Sequence, residues 1–161
     1  MAPWKEEKYI SPSELEEKVA GLRKEQKTLA TLNGSFDLLH AGHLKMIHEA
    51  SLQADILILA LNSDLSIKKY KSPLRPIIPL EQRLEMVSAL QFVDFVTYFD
   101  ETTPIDFLEK VKPDVHVNGA EYGADCIEAD VVKKYGGKIH IVTLIPGLST
   151  SNLVKKIKAC D

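Results

Sequence analysis

The chain of 161 residues is predicted to be an α/β protein, a doubly wound sheet of five parallel strands with helices on both faces. Three observations lead there. From Thr28 onward, apolar strand-like runs alternate with segments of helical spacing, the order that produces crossover connections and parallel pairing. The run Asp55 to Asn62 is almost unbroken in apolar residues, as in a strand buried on both faces. Helix limits are marked by Thr102-Thr103 ahead of Pro104 and by Gly136-Gly137 behind Tyr135, where caps and left-handed stops belong.

Taken in order, residues 1–10 read as a loose tail carrying Trp4. Ser11-Pro12-Ser13-Glu14 reads as a helix start, with Ser11 as cap, Pro12 at the first helical position and Glu14 closing the box. That helix runs to about Gln26, and its thin apolar side of Leu15, Val19 and Leu22 assigns it to the surface. The chain thus divides into an N-terminal tail and surface helix, 1–27, and a working part, 28–161, within one domain. Thr28 to Leu32 is a strand, Asn33-Gly34-Ser35 a turn, and from His43 the helical spacing sets Leu44, Ile47 and Leu52 on one side.

Asp55 to Asn62 is the second strand. Leu65 to Pro79 holds Lys68, Lys69, Lys71, Arg75 and three prolines without a long apolar run; it is expected to be an extended loop, a place where function concentrates. Leu80-Glu81-Gln82-Arg83-Leu84 opens a helix with Leu84, Val87 and Leu90 inward, and Phe92 to Phe99 is a strand. A helix Pro104 to Val111 stops at Pro113, the strand Asp114 to Asn118 breaks at Gly119-Ala120, and a helix Asp125 to Tyr135 follows. Lys138 to Ile145 is the last strand, and Pro146 to Ser151 leads into a helix Asn152 to Ala159.

Composition narrows the partners. With 20 basic and 23 acidic side chains the net charge is −3, and lysine and arginine never run beyond two in succession. Nucleic-acid binders carry a basic face, so none is expected as partner, and an anionic ligand must be held by local groups. The longest apolar run, Ile56 to Leu61, is far short of a membrane span, and residues 1–27 are too charged for a signal peptide. A cytoplasmic protein without a membrane partner is expected. Cys126 and Cys160 are far apart and read as free thiols without an assigned role.

The chemistry concentrates in Asn33-Gly34-Ser35-Phe36-Asp37-Leu38-Leu39-His40-Ala41-Gly42-His43. A strand, a loop and a helix start meet here, and two imidazoles three residues apart straddle the last junction with Gly42 between them. Free N–H groups and the dipole at a helix N-terminus attract an anion, and each histidine is expected to add a charge-assisted hydrogen bond to a phosphate oxygen. Metal ligation is the competing reading, but two histidines at i, i+3 lack an acidic or thiolate companion at ligand spacing, and His-Glu-x-x-His is absent. Ligands of such sheets bind beyond the carboxyl ends of the strands, which brings in Asn118 to Tyr122 and the hydroxyl-rich Ser149-Thr150-Ser151. His48, His116 and His140, in a helix or alternating with apolar strand residues, are expected to be structural.

No P-loop, dinucleotide fingerprint, Gly-x-Ser-x-Gly elbow or Cys/His pair occurs. A phosphate cradle without an attacking side chain suits a reaction in which the substrate's own phosphate attacks a nucleotide while the protein positions both.

Gly34-Ser35-Phe36-Asp37 with His40-Ala41-Gly42-His43, the later Glu81-Gln82-Arg83 and Leu148-Ser149-Thr150-Ser151 resemble the cytidylyltransferase-like nucleotidyltransferases, whose fold is Rossmann-like. Asn62-Ser63-Asp64, Arg75-Pro76, Pro79 to Arg83 and Gly136-Gly137 are most similar to the adenylyltransferase domain of ADP-heptose synthesis, over about residues 28–158. The resemblance implies that ATP and D-glycero-β-D-manno-heptose 1-phosphate give ADP-heptose, a lipopolysaccharide precursor, and pyrophosphate, with Mg²⁺ carried on the triphosphate. It implies catalytic roles for His40, His43, Lys69, Lys71 and Arg83, with Arg83 either an anion contact or a support for its loop. It implies nucleotide binding by Gly34, Ser35, Phe36, Asp37, Gly42, Asn118, Gly119, Ser149, Thr150 and Ser151. A homodimer is implied as well, and, because the often-fused kinase domain does not occur in this sequence, a separate heptose kinase upstream.

One departure is visible: the heptose enzymes usually carry lysine where this chain has Asn118, in Val117-Asn118-Gly119-Ala120-Glu121-Tyr122. Two alternatives stand beside the adenylyltransferase. One is a CTP-dependent enzyme acting on glycerol 3-phosphate or a phospho-alcohol, towards which Lys45 leans; the other is a nucleotide sensor without turnover.

Overall fold

The computed structural model describes residues 2–123, 125–143 and 146–160. Five strands form one all-parallel sheet: β1 (Leu29–Gly34), β2 (Ile56–Asn62), β3 (Phe95–Phe99), β4 (Val115–Gly119) and β5 (Lys138–Val142), in the order β3-β2-β1-β4-β5. The direction of winding reverses between β1 and β4, which pair with Leu32 beside Val117. A crevice at the carboxyl ends of these two strands follows from that reversal. The prediction of a doubly wound, five-stranded parallel sheet is met.

Each face has its own core. Ala30, Leu32, Leu57, Leu59, Leu61 and Val117 point to one side and pack on Ile47 and Ala50 of α3 (Ala41–Ser51) and on Leu84 and Val87 of α5 (Leu80–Ser88). Leu29, Ile58 and Ala60 point to the other side. They meet α2 (Leu15–Lys24), α6 (Ile105–Val111) and α7 (Ala129–Lys134) through Leu22, Leu108, Val111 and Val132. This two-sided burial is what the unbroken apolar composition of β2 requires.

Several limits differ from the sequence reading. Residues 1–10 are not a loose tail: α1 (Pro3–Lys8) lies on α5 with Lys5 buried, while Trp4 stays 46% exposed. Tyr9 bridges Val96, and the Ile10 N–H donates to the Val96 carbonyl, so this segment runs along the outer edge of β3. Residues 12–14 make a turn before α2, with Ser11 Oγ on the Glu14 carboxylate.

Residues 65–79 are not wholly extended, since α4 (Asp64–Tyr70) occupies the first part. Ser63 caps it by accepting from the Ser66 N–H, and Ile67 is its buried apolar side chain. One apolar contact per helix leaves no periodicity to read. Residues 71–79 do remain a loop, and Arg75-Pro76 is a cis peptide bond within it. The last strand was expected to reach Ile145, but Leu144 and Ile145 lie outside the described residues. The last helix, α8 (Thr150–Lys158), starts earlier than expected, behind its Ser149 cap.

Candidate active site

Gly34 ends β1 beside the switch in winding, and the chain must turn sharply from there into α3. It does so through two left-handed residues that are not glycine, Phe36 (φ 48°) and Leu38 (φ 52°). Such conformations cost on the order of 1 kcal/mol each and need surroundings that impose them. Asp37, between them and fully buried, is the anchor. Its carboxylate accepts the Ile77 and Ile78 N–H groups at 2.9 and 3.0 Å and pairs with the Arg75 guanidinium at 2.7 Å. The Asp37 carbonyl also accepts the Thr150 hydroxyl at 2.9 Å, which pins the start of α8 to the same loop.

At the loop's end the two imidazoles stack, with ring centroids 3.9 Å apart and planes 27° from parallel. They cap their own helix. His40 Nδ1 accepts the Gly42 N–H at 3.1 Å, and His43 Nδ1 accepts the His40 N–H at 3.3 Å. A ring nitrogen that accepts an N–H carries no proton, so both neutral rings hold theirs on Nε2. Each imidazole therefore presents Nε2–H as its free donor.

Charge differs from the sequence expectation. Burial, then His40 and then Lys71 push His43 down to about 4, and burial lowers His40 too. Without a ligand both rings are neutral at neutral pH, so the expected charge-assisted bonds are ordinary N–H donations until an anion arrives to favour the charged form. The supply of free backbone donors is also smaller than expected. The Gly42 and His43 N–H groups are already bound to His40, which leaves Ala41 at this helix start.

Gly42 serves by its small size. A Cβ there would lie 2.9 Å from the His40 ring and 3.4 Å from Cβ of Leu148, the residue leading into α8. The starts of α3 and α8 thus meet at Gly42, through Leu148, which directly precedes the Ser149 cap. Ser149 Oγ is engaged by the Asn152 N–H and Thr150 by Asp37, while Ser151 is exposed.

Four of the expected ligand contacts have other partners in the structure. Phe36 does not line an open cleft: it is a core residue whose ring sits 3.3 Å from a Cβ built at Gly34 and 5.5 Å, centroid to centroid, from His43. Asp37 and Arg83 are fully buried, and their charges are spent inside the protein. Arg83 donates to the carbonyls of Ile78 (2.9 Å), Ser35 (2.6 Å) and Asn62 (2.9 Å) and pairs with Asp64 at 2.7 Å. It joins the ends of β1 and β2, the start of α4 and the loop 71–79, so of its two expected roles the support of its loop is the one this geometry fits. The fourth is Lys69, whose ammonium lies 3.4 Å from the Asp100 carbonyl beyond β3.

Lys71, two residues on, turns to the histidines and donates to Ser35 Oγ at 3.3 Å. Burial first, and then Arg75, lower the pKa of its ammonium.

On the far side of the crevice Asn118 is buried and its neutral amide donates to Glu128 at 3.3 Å. The Glu121 carboxylate folds over Gly119, 2.5 Å from where a Cβ would sit. Lys45 donates to the Thr143 carbonyl at 2.6 Å. His116 is structural, buried against the Thr31 hydroxyl at 2.8 Å. Sequence reasoning missed the bracing role of Asp37 and Arg75. The signal available was an acid and an arginine flanking two loops that must meet. No cluster of three or more His, Cys, Asp or Glu able to hold a metal occurs among the described residues, and no described helix is long and apolar enough to cross a membrane.

Known proteins bear on these features. The bifunctional protein HldE of Syntrophotalea carbinolica is 40% identical over 84% of this chain, and that of Gluconobacter oxydans 44% over 79%. The chain spans only 28% and 27% of those two proteins. A lipopolysaccharide core biosynthesis protein of Thermoplasma volcanium, solved by crystallography, superposes with a TM-score of 0.58 at 26% identity, over 74% of this chain and 97% of the other. Pantoate-beta-alanine ligase of Francisella tularensis, at 14% identity and a TM-score of 0.58, shares the fold. The model of the cytidylyltransferase-like family matches residues 31–158, and the chain belongs to that family.

Proposed function

We propose that this chain transfers AMP from ATP to a sugar 1-phosphate, D-glycero-β-D-manno-heptose 1-phosphate, giving ADP-heptose and pyrophosphate. The observation that carries the reading is the stacked His40–His43 pair, with two Nε2–H donors at the crevice and no side-chain nucleophile between them. The similarity to HldE proteins and to a lipopolysaccharide core biosynthesis protein supports the choice of acceptor.

In this reading an oxygen of the sugar phosphate attacks the α-phosphorus of ATP, and the bond to the bridging oxygen breaks with its electrons leaving on pyrophosphate. The histidines donate to oxygens on which charge grows, and because they are already fixed by their own helix cap they need no reorganisation. Lys71 supplies the full positive charge at the Ser35 side. At the start of α8 the Ser149 and Ser151 hydroxyls receive phosphate oxygens, while the Thr150 hydroxyl stays on the Asp37 carbonyl and holds this helix start in place. Mg²⁺, arriving with the triphosphate, would shield its charge and would call for few protein ligands. The donor set fits that arrangement: Asp37, the carboxylate in the histidine loop, is consumed by Ile77, Ile78 and Arg75.

The acceptor must come from a sugar kinase, and the enzyme is taken as a homodimer, which light scattering checks. Incubation with ATP or CTP, against heptose 1-phosphate or glycerol 3-phosphate, tests the reaction by pyrophosphate release. Turnover with ATP and the heptose is expected. Turnover confined to CTP, or tight ATP binding without release from any acceptor, would overturn the reading. Lys45, which leaned towards CTP, is occupied at Thr143 and gives that alternative no support.

A further inference from the structure

Two tyrosines stand exposed at the mouth of the crevice, where nothing assigned so far uses them. Tyr70 ends α4 and is 44% exposed; Tyr122 follows β4 and is 64% exposed. Their strands, β2 and β4, flank β1 on either side, so the chain segments beyond their carboxyl ends lie to the two sides of the loop that follows β1. Burial and then the neighbouring Tyr122 raise the pKa of the Tyr70 phenol, while Arg83 and Arg75 act in the opposite sense. Lys71 Nζ lies 5.5 Å from the Tyr70 ring and 3.3 Å from Ser35 Oγ, which places an ammonium between this ring and the floor of the site. Across from it the Glu121 carboxylate is held over Gly119.

Two exposed aromatic faces, one carboxylate and one ammonium around a polar floor make a specific combination. Tyrosine offers an apolar face for C–H groups and a hydroxyl for polar ones, and binding sites of small molecules pair such surfaces with a few placed charges. A bare phosphate needs only the ammonium. A phosphorylated sugar ring uses all four groups.

We propose that Tyr70 and Tyr122 form an aromatic clamp that holds the ring of the acceptor sugar, with Glu121 accepting its hydroxyl hydrogens and Lys71 contacting its phosphate. The proposal rests on the adenylyltransfer reading and adds the residues that select the acceptor. Neither ring belongs to the core, so both can be removed without unfolding the chain.

Calorimetric binding of heptose 1-phosphate, inorganic phosphate and a non-reactive ATP analogue to the full chain provides the test. The wild-type chain is expected to bind heptose 1-phosphate more tightly than inorganic phosphate. Tyr70→Ala and Tyr122→Ala are each expected to weaken the heptose by about five-fold, the worth of one aromatic contact, and to leave the other two ligands within about two-fold. Tyr122→Phe, which keeps the face, is expected to retain most of the affinity. Equal losses for all three ligands, a loss confined to the ATP analogue, or no loss at all would overturn the clamp. Should the wild-type chain discriminate as expected yet release no pyrophosphate, the clamp stands and the proposed reaction falls.

Discussion

Arg83 and Ser35 are 48 positions apart, yet the guanidinium of one donates to the backbone carbonyl of the other across 2.6 Å, and the arginine is wholly shielded from solvent. Its partners are three carbonyls and the partly exposed Asp64, so most of its contribution comes from satisfying backbone oxygens at the ends of β1 and β2 and in the loop 71–79. Arg83→Gln is expected to lower the free energy of unfolding by about 3 kcal/mol in urea titrations. A loss under about 1 kcal/mol together with a large fall in kcat would instead place Arg83 against a substrate.

For the histidines the expected effect is on rate. His43→Ala removes one Nε2–H donor and is expected to lower kcat by about 100-fold or more, as loss of a transition-state donor does. Gly42→Ala should act through geometry, pushing the His40 ring that lies 2.9 Å from the new methyl; a shift of that size is worth on the order of 100-fold. Steady-state pyrophosphate release reads both, and an unchanged kcat in His43→Ala would move the chemistry elsewhere.

The lysines separate cleanly. Lys71→Ala is expected to cut kcat/KM by at least about ten-fold, since it removes the charge beside Ser35, whereas Lys69→Ala should change it by less than about two-fold, because Lys69 is tied to Asp100. Reversed effects would mean that the loop 71–79 rearranges on binding.

Stability should depend on pH below neutrality. His43 is held at about 4 and His116 at about 3, in both cases chiefly by burial. Unfolding frees both rings to bind protons near pH 6.5. Between that pH and about 4 the unfolded chain holds more protons than the folded one, so stability falls as pH falls; above 6.5 both forms are neutral and the contribution is complete. Urea midpoints should be flat from pH 7 to 8 and lower at pH 5, and the decline should be shallower in His116→Gln. Equal midpoints at pH 7 and pH 5 would contradict the depressed values.

Much of this was legible in the chain because burial leaves a pattern. The strands announce themselves through runs such as Ile56 to Leu61, and Gly42 between two histidines marks a crowded helix start. What escaped had no pattern to leave. Helix α4 buries one apolar side chain, Ile67, so its spacing resembles a loop. Phe36 reads as a cleft residue beside Gly34-Ser35, but a left-handed backbone turns its ring into the core. The charges of Asp37 and Arg83 suggest anion chemistry until the distant carbonyls and N–H groups that consume them are known. Lys69 and Lys71 differ by two positions, and the end of α4 between them sends one to Asp100 and the other to Ser35.

The bridge from Tyr9 to Val96 has a bearing on self-association. A marginal strand exposes unpaired amide and carbonyl groups that recruit further chains, and at β3 the molecule's own opening segment occupies part of that row through Ile10. Trimming the first ten residues would bare this template on the side away from β5. The short opening segment thus covers part of the row that edge-to-edge pairing at β3 would use.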